Sequence, residues 1–366
     1  MRAVGTTDIY CSALDEQKEN NVTEVELVSR ISTLPLADRA KNVEMGISRW
    51  PWRLQSHVSC WAGELTDRVM HPGCIGCNPF LVHWCDTLPE SVRIEKGDTG
   101  LRGLIDTVVT KLRPVQFRGK GRLAELVVPR TGNRDALIFG SWFSLDLSDY
   151  IQRHIYAGSF EREESGIVRK MVHTGMTFVD VGANVGYYTA LAAQLVGPTG
   201  SVFAFEPSAY AFPRLSRMIE INRLTCARAI NCGLSDIAGE ALLFGAVDDD
   251  FYDIHTATMV PNDNPHRAVV RTETLDRMAE QLNIKQIDFL KIDVDGFEPV
   301  VLQGAARLIA NGRISNIMLE CAEYWFKRMN TSAAETVGHL RSKGFSRISR
   351  IERSGSDDLA TYFCSL

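Results

Sequence analysis

The stretch Phe178-Val179-Asp180-Val181-Gly182-Ala183-Asn184-Val185-Gly186 decides the fold. Thr177–Val181 is a short apolar run of the kind buried in a parallel sheet. It ends in an acid and two glycines spaced by three residues, and a helical pattern follows from Val185 to Val196. Glycines at 182 and 186 let the backbone turn sharply and approach a ligand closely. A helix starting there presents free N–H groups. The stretch therefore reads as the first βα turn of an open parallel sheet, where ligands bind beyond the carboxyl ends of the strands.

Outward from this turn, strand and helix alternate to the end of the chain. Ser201–Phe205, Arg228–Cys232, Ala241–Phe244, Val269–Arg271, Ile287–Ile292 and Ile314–Leu319 have strand content. Helical patterns cover Ala209–Asn222, Leu275–Leu282, Pro299–Ile309 and Ser332–Lys343. Strands separated by helices of roughly 10–15 residues predict βαβ units and a mostly parallel sheet. Phe345–Ile351 and Leu359–Cys364 read as a closing hairpin, which gives the sheet an antiparallel C-terminal edge.

Upstream, Leu123–Val128 and Ala136–Leu147 look like strands, and Ser148 is the expected N-cap of a helix through Tyr156. Arg162–Val172 begins acidic and ends basic, as suits a helix macrodipole. The expected organisation is an N-terminal extension over 1–100, partly irregular or disordered. A lead-in or cap segment over 101–175 and a cofactor-binding α/β domain over 176–366 complete it.

A nicotinamide or flavin fold needs G-x-G-x-x-G at the first turn, with pyrophosphate on the helix N-terminus. Counting from Gly182 gives Gly, Asn184 and Tyr187, so two of the three glycines are missing. The turn instead offers Asp180, which repels phosphate and suits a cation. S-adenosylmethionine has no phosphate and carries an ammonium and a sulfonium, so the turn chemistry favours it over a dinucleotide. Glu206, at the end of the second strand, can accept hydrogen bonds from ribose hydroxyls. Ser235-Asp236 could meet an adenine amino group, or form a plain Ser-Asp turn. Asp293 ends the apolar strand Ile287–Ile292 and should face the cleft, where an acid can hold the methionine end, bind a metal or take a proton. Asp295 and Glu298 read as first-turn helix charges.

Taken together, FVDVGANVGYYTALAA, VFAFEP, GLSD, VVRTETLD and IDFLKIDVDGFEPVVLQGA resemble the FkbM family of methyltransferases, in this order. The resemblance covers about Phe143 to Leu366. It implies a Rossmann-like class I fold with a mostly parallel seven-stranded sheet. It also implies S-adenosyl-L-methionine as methyl donor and O-methylation of a hydroxyl on a sugar, polyketide or other small natural product. Carried onto this chain, Asp180, Gly182, Ala183, Asn184 and Gly186 would cradle the methionine part. Glu206 would take the ribose, and Ser235 and Asp236 would approach the adenine. Asp295 is a small departure, since the family often has Glu there. Asp293 is the first candidate for a catalytic base and His255 the second. Glu320 could join Asp293 on a divalent cation, but a role in ordering a loop or water is favoured, so no metal is assigned. The rivals are a NAD-dependent oxidoreductase and a non-catalytic cofactor-binding module.

Composition sets outer bounds. With 366 residues and 45% hydrophobic content, a sizeable core can form. The net charge of −5 gives no reason to expect nucleic acid or an anionic membrane as partner. The densest basic stretch, Lys111 to Arg122, reads as a solvated face. No run approaches the ~18 apolar residues of a membrane span. No signal peptide is evident, and nine cysteines fit a disulfide framework poorly, so a cytoplasmic location is expected. Cys60, Cys74, Cys77 and Cys85 cluster with histidines, but no second half-site follows at a usual zinc spacing. Neither the acceptor nor the oligomeric state can be read from the sequence.

Overall fold

The computed structural model describes residues 101–115, 117, 119–245, 257–352 and 358–366. The cysteine cluster at 60–85 and His255 lie outside them. These described residues belong to one compact unit, Asp98–Leu366.

Seven strands form the main sheet: β3 Thr177–Val181, β4 Ser201–Phe205, β5 Ala227–Ile230, β9 Phe289–Ile292, β10 Asn316–Ala322, β11 Arg347–Glu352 and β12 Leu359–Ser365. Their spatial order is β11-β12-β10-β9-β3-β4-β5. All pairings from β10 to β5 are parallel, and β12 inserts antiparallel between β10 and β11. The chain leaves β3 towards β4 on one side and returns to β9 on the other. That reversal is a topological switch point, where open α/β sheets bind ligands. The expected seven-stranded α/β fold is present.

The central strands are buried on both faces, which explains their unbroken apolar character. Val179, Val181, Leu290 and Ile292 face one core layer, shared with α7 Leu275–Gln281, α8 Glu298–Gln303, α9 Ala306–Ala310, α10 Glu323–Arg328 and α11 Ala333–Ser342. Phe178 and Phe289 face the other, against α4 Arg162–Met171 and α5 Tyr187–Val196. Their rings stack at 5.2 Å, 7° from parallel. Fully burying each such ring contributes about 1.5–3 kcal/mol.

Two expected strands leave this sheet. The segments around 241–244 and 269–271 are β7 Gly239–Phe244 and β8 Arg267–Glu273, which with β6 Gly233–Leu234 form a separate sheet in the order β6-β8-β7. The expected helix Pro299–Ile309 is broken into α8 and α9 at Gly304, where a Cβ would lie 2.0 Å from the Ser235 carbonyl oxygen.

The lead-in corrects three expectations. Leu123–Val128 belongs to the helix α2 Lys120–Val127, preceded by α1 Leu101–Leu112. Its residues serve a helix because the segment packs against the helix Tyr150–Ala157 and buries Ala124, so tertiary burial overrides the β-leaning composition. The N-cap of α3 Tyr150–Ala157 is Asp149, whose carboxylate accepts the Gln152 N–H. Ser148 instead bonds Asp146. The basic stretch is no solvated face throughout. Lys120 is 4% exposed and donates to the Arg113 and Val115 carbonyls, satisfying the end of α1.

Ala136–Leu147 is a hairpin, β1 Asn133–Ile138 and β2 Ser141–Asp146, turned by Phe139 and Gly140 at φ 53° and 73°. It shares a core with Ala190 of α5 and with Leu215 and Met218 of α6 Ala211–Ile221. No helix among the described residues is long and apolar enough to cross a membrane.

Candidate active site

The turn after β3 is held from below and from both sides. Gly182 and Ala183 donate their N–H groups to the Phe205 carbonyl, hooking the turn over the end of β4. Gly182 has φ 75°, and a Cβ there would sit 1.9 Å from the Asp293 carbonyl oxygen. Only glycine lets the turn after β3 lie against the loop after β9. Gly186, at φ 93°, abuts Leu215 and Met218 of α6, which a Cβ would strike at 2.9 and 2.4 Å. Asn184 takes φ 48°, a left-handed conformation that asparagine tolerates.

Asp180 is wholly buried rather than lining an open cleft. Its Oδ2 accepts the Thr189 hydroxyl at 2.7 Å, and its Oδ1 lies 3.8 Å from Lys291 Nζ without a hydrogen bond. Burial pushes the Asp180 carboxyl above its usual range, against the pull of Lys291 and Thr189. Lys291 stands opposite Asp180 in the β3–β9 register. Its ammonium donates to Asp293 Oδ2 at 2.9 Å and lies 5.0 Å over the Tyr188 ring. Burial opposes that charge, but Asp293, Asp180 and Glu161 together raise the Lys291 ammonium above its ordinary value.

Glu206 follows β4 and is 7% exposed. Its two carboxylate oxygens accept the N–H groups of Asn184 at 2.8 Å and Ser208 at 2.9 Å. Burial pushes the carboxyl up to about 7, against the pull of those two donors. The polar side chain at the carboxyl end of β5 is Asn231, which donates to the Glu206 carbonyl at 2.9 Å. Ser235 and Asp236 follow β6 in the second sheet. Ser235 N–H donates to the Glu273 carbonyl, its hydroxyl donates to Asp236 Oδ1, and Asp236 is exposed.

After β9, Asp293 is the acid left partly open, with its side chain 24% exposed. Its N–H donates to the Val181 carbonyl, continuing the β3–β9 ladder. Glu298 is no surface charge of α8. It is fully buried, and its Oε1 accepts the Val294 and Gly296 N–H groups at 3.0 and 3.2 Å. Burial pushes its carboxyl up to about 8. Burial also raises the Asp295 carboxyl, with the charges of Asp293 and Glu298 adding to it.

Two acids converge on Asp293 from distant parts of the chain. Glu161 precedes α4, and Glu320 lies within β10, which continues beyond the expected end at Leu319. One oxygen from each of Glu161, Asp293 and Glu320 falls within 4.8 Å of the others, an arrangement that could hold a cation. Glu161 is also reached by the Tyr188 hydroxyl at 2.7 Å.

Sequence reasoning passed over Lys291, Glu161 and Asn231. Lys291 had a legible signal: a charge inside a strand buried on both faces needs a buried partner. Glu161 had none, because only the tertiary fold brings it to β9.

The residues present fit a small cationic or hydroxyl-rich ligand better than a pyrophosphate. Asn184 Oδ1 is a buried acceptor with no donor, and the nearby open carboxylate is Asp293. Tyr187, in the third-glycine position, turns away into the lead-in, edge-on to Phe139 and Phe160.

The fold is α/β, of the Rossmann-like type found in class I methyltransferases. Residues 180–347 match the Methyltransferase FkbM domain, and over that stretch the chain is similar to the FkbM family. It is 27% identical over 188 residues to Methyltransferase 1 of Beauveria bassiana, covering 46% of this chain and 71% of that protein. It is 30% identical over 159 residues to Methyltransferase sdnD of Sordaria araneosa, covering 34% of this chain and 59% of that one. Among solved structures it is similar to methyltransferase FkbM from Methylobacillus flagellatus, with 15% identity and a TM-score of 0.36. That likeness covers 70% of this chain and 60% of the other.

Proposed function

We propose that this methyltransferase moves a methyl group from S-adenosylmethionine to a hydroxyl of a sugar, polyketide or other small natural product. The observation that carries it is the meeting of three strand ends. Asn184 N–H bonds Glu206, and Gly182 lies against the Asp293 carbonyl. One ligand can therefore touch the turns after β3, β4 and β9 together.

S-adenosylmethionine, when bound, supplies a methyl group already activated on a sulfonium. Asp293 and Asn184 Oδ1 are the acceptors suited to its methionine ammonium. Each Glu206 oxygen keeps a lone pair beyond its backbone donor and is suited to the ribose hydroxyls. Gly182 and Gly186 keep the turn free of side chains. The acceptor hydroxyl must lose a proton, and a carboxylate at the cleft can take it. Asp293 is the candidate, with Glu161 and Glu320 within reach of it. Positioning supplies most of the remaining rate gain, because the leaving group needs no further activation.

Calorimetric titration of the full chain with S-adenosylhomocysteine and, separately, with NADH tests the donor. Binding of S-adenosylhomocysteine is expected; binding of NADH alone would sink this reading.

A further inference from the structure

A buried cation in the middle of a sheet is costly unless it does something an apolar side chain could not. Lys291 is 5% exposed, inside a four-residue strand whose other members are Phe289, Leu290 and Ile292. Its ammonium reaches three groups, on β3 and on the two loops that follow β3 and β9. It donates to Asp293 Oδ2 at 2.9 Å, approaches the Gly182 carbonyl at 3.5 Å, and pairs with Asp180 Oδ1 at 3.8 Å. Asp180 lies near the end of β3, Gly182 is in the turn that follows it, and Asp293 opens the loop after β9. The loops also touch through backbone, since the Asp293 N–H donates to Val181 and its carbonyl lies against Gly182. Tyr188 covers the ammonium from α5, and the Tyr188 hydroxyl ties that helix to Glu161.

We propose that Lys291 is a positioning residue that pins the turn after β3 to the loop after β9 and so fixes the orientation of the Asp293 carboxylate. It rests on the reading of these two loops as the cofactor's. Lys291 acts through Asp180, Gly182 and Asp293. An apolar residue would fill the space and leave the two loops joined by backbone alone.

The test uses the full chain without ligand, as wild type, Lys291→Met and Lys291→Arg, compared by hydrogen exchange with mass spectrometry. Peptides covering 180–188 and 293–300 are expected to exchange about tenfold faster or more in Lys291→Met, the consequence of losing a charge-assisted hydrogen bond. Peptides from β10 and β12 should stay at wild-type rates, and Lys291→Arg should restore most of the protection. Unchanged exchange in the two loops, or a uniform rise across the chain, would overturn the proposal. If Lys291→Met is not recovered folded, Asp293→Asn weakens the same 2.9 Å pair from its more exposed side, with the same local rise expected. Calorimetry with S-adenosylhomocysteine on the same wild-type preparation separates the two ideas. Absence of binding with the local exchange pattern intact refutes the cofactor reading and leaves the pin standing.

Discussion

The turn after β3 and the loop after β9 start from the same local pattern, an acid at the carboxyl end of a buried strand, and end in different states. Asp180 is sealed beneath its turn with Thr189 and Lys291 for partners. Asp293, beside it in the sheet, keeps a quarter of its side chain exposed and meets Glu161 and Glu320. The first acid holds the scaffold and the second is available to a ligand. Position at a strand end therefore does not by itself give an acid its task. The neighbouring strand and the helix above it decide whether solvent reaches the carboxylate.

The sharpest way to break this contrast is to separate the loops. Gly182→Ala puts a Cβ 1.9 Å from a backbone carbonyl at a φ of 75°. It is expected to cost about 3 kcal/mol or more, read by urea unfolding. Gly296→Ala, at φ 95°, meets the Trp325 Cβ at 2.2 Å on the far side of the second loop; only a backbone shift relieves that contact, so it should also destabilise. Equal stability of wild type and Gly182→Ala would mean the two loops are not in contact.

The buried acids give a pH signature. Glu206 and Glu298 have folded-state values raised to about 7 and about 8, so the folded protein binds more protons than the unfolded chain above their ordinary range. Their stabilising contribution is complete below about pH 4.5 and is lost as pH rises through 7 and 8. The ligand-free protein is expected to melt several degrees lower at pH 8.5 than at pH 6, at roughly 2–4 °C per kcal/mol. Glu298→Gln should flatten that slope, and a slope unchanged in this variant would show that Glu298 is not its source. The Lys291 ammonium is raised as well, so its contribution is fully present throughout this window and is lost only above its ordinary value.

Thr189→Val removes the hydroxyl hydrogen bond to the Asp180 carboxylate and leaves a buried acid short of a donor. A loss of about 1–3 kcal/mol is expected in denaturant titration. The smallest effects are expected at the sheet's other end. Asn231→Ala, which frees the Glu206 carbonyl, should weaken S-adenosylhomocysteine binding about fivefold, in line with one neutral hydrogen bond. The exposed Asp236, changed to Ala, should weaken it less. A reversed ranking in calorimetry would favour the Ser235–Asp236 turn, and not Asn231, as the side of the site that meets the adenine.

Much of the fold was legible locally. β3 and β4 begin and end where their apolar runs do, because strands buried on both faces announce themselves by uninterrupted apolar residues. The failures have local causes too. Leu123–Val128 carries aliphatic residues that suit either element, and packing against α3 selected the helix. Pro299–Ile309 reads as one helix until the Ser235 carbonyl forces a break at Gly304.

The sequence by itself determined that a sharp, glycine-spaced βα turn lies at Asp180–Gly186, with acids at the strand ends at 206 and 293. Glycine spacing and strand-end acids are short-range patterns, so they survive in one dimension. Only the tertiary structure decided which acid is open. Lys291 neutralises Asp180 from an adjacent strand, while Glu161 and Glu320 reach Asp293 from elements 132 and 27 residues away along the chain. Charge and solvent access depend on everything within a few ångströms, and chain order does not record those distances.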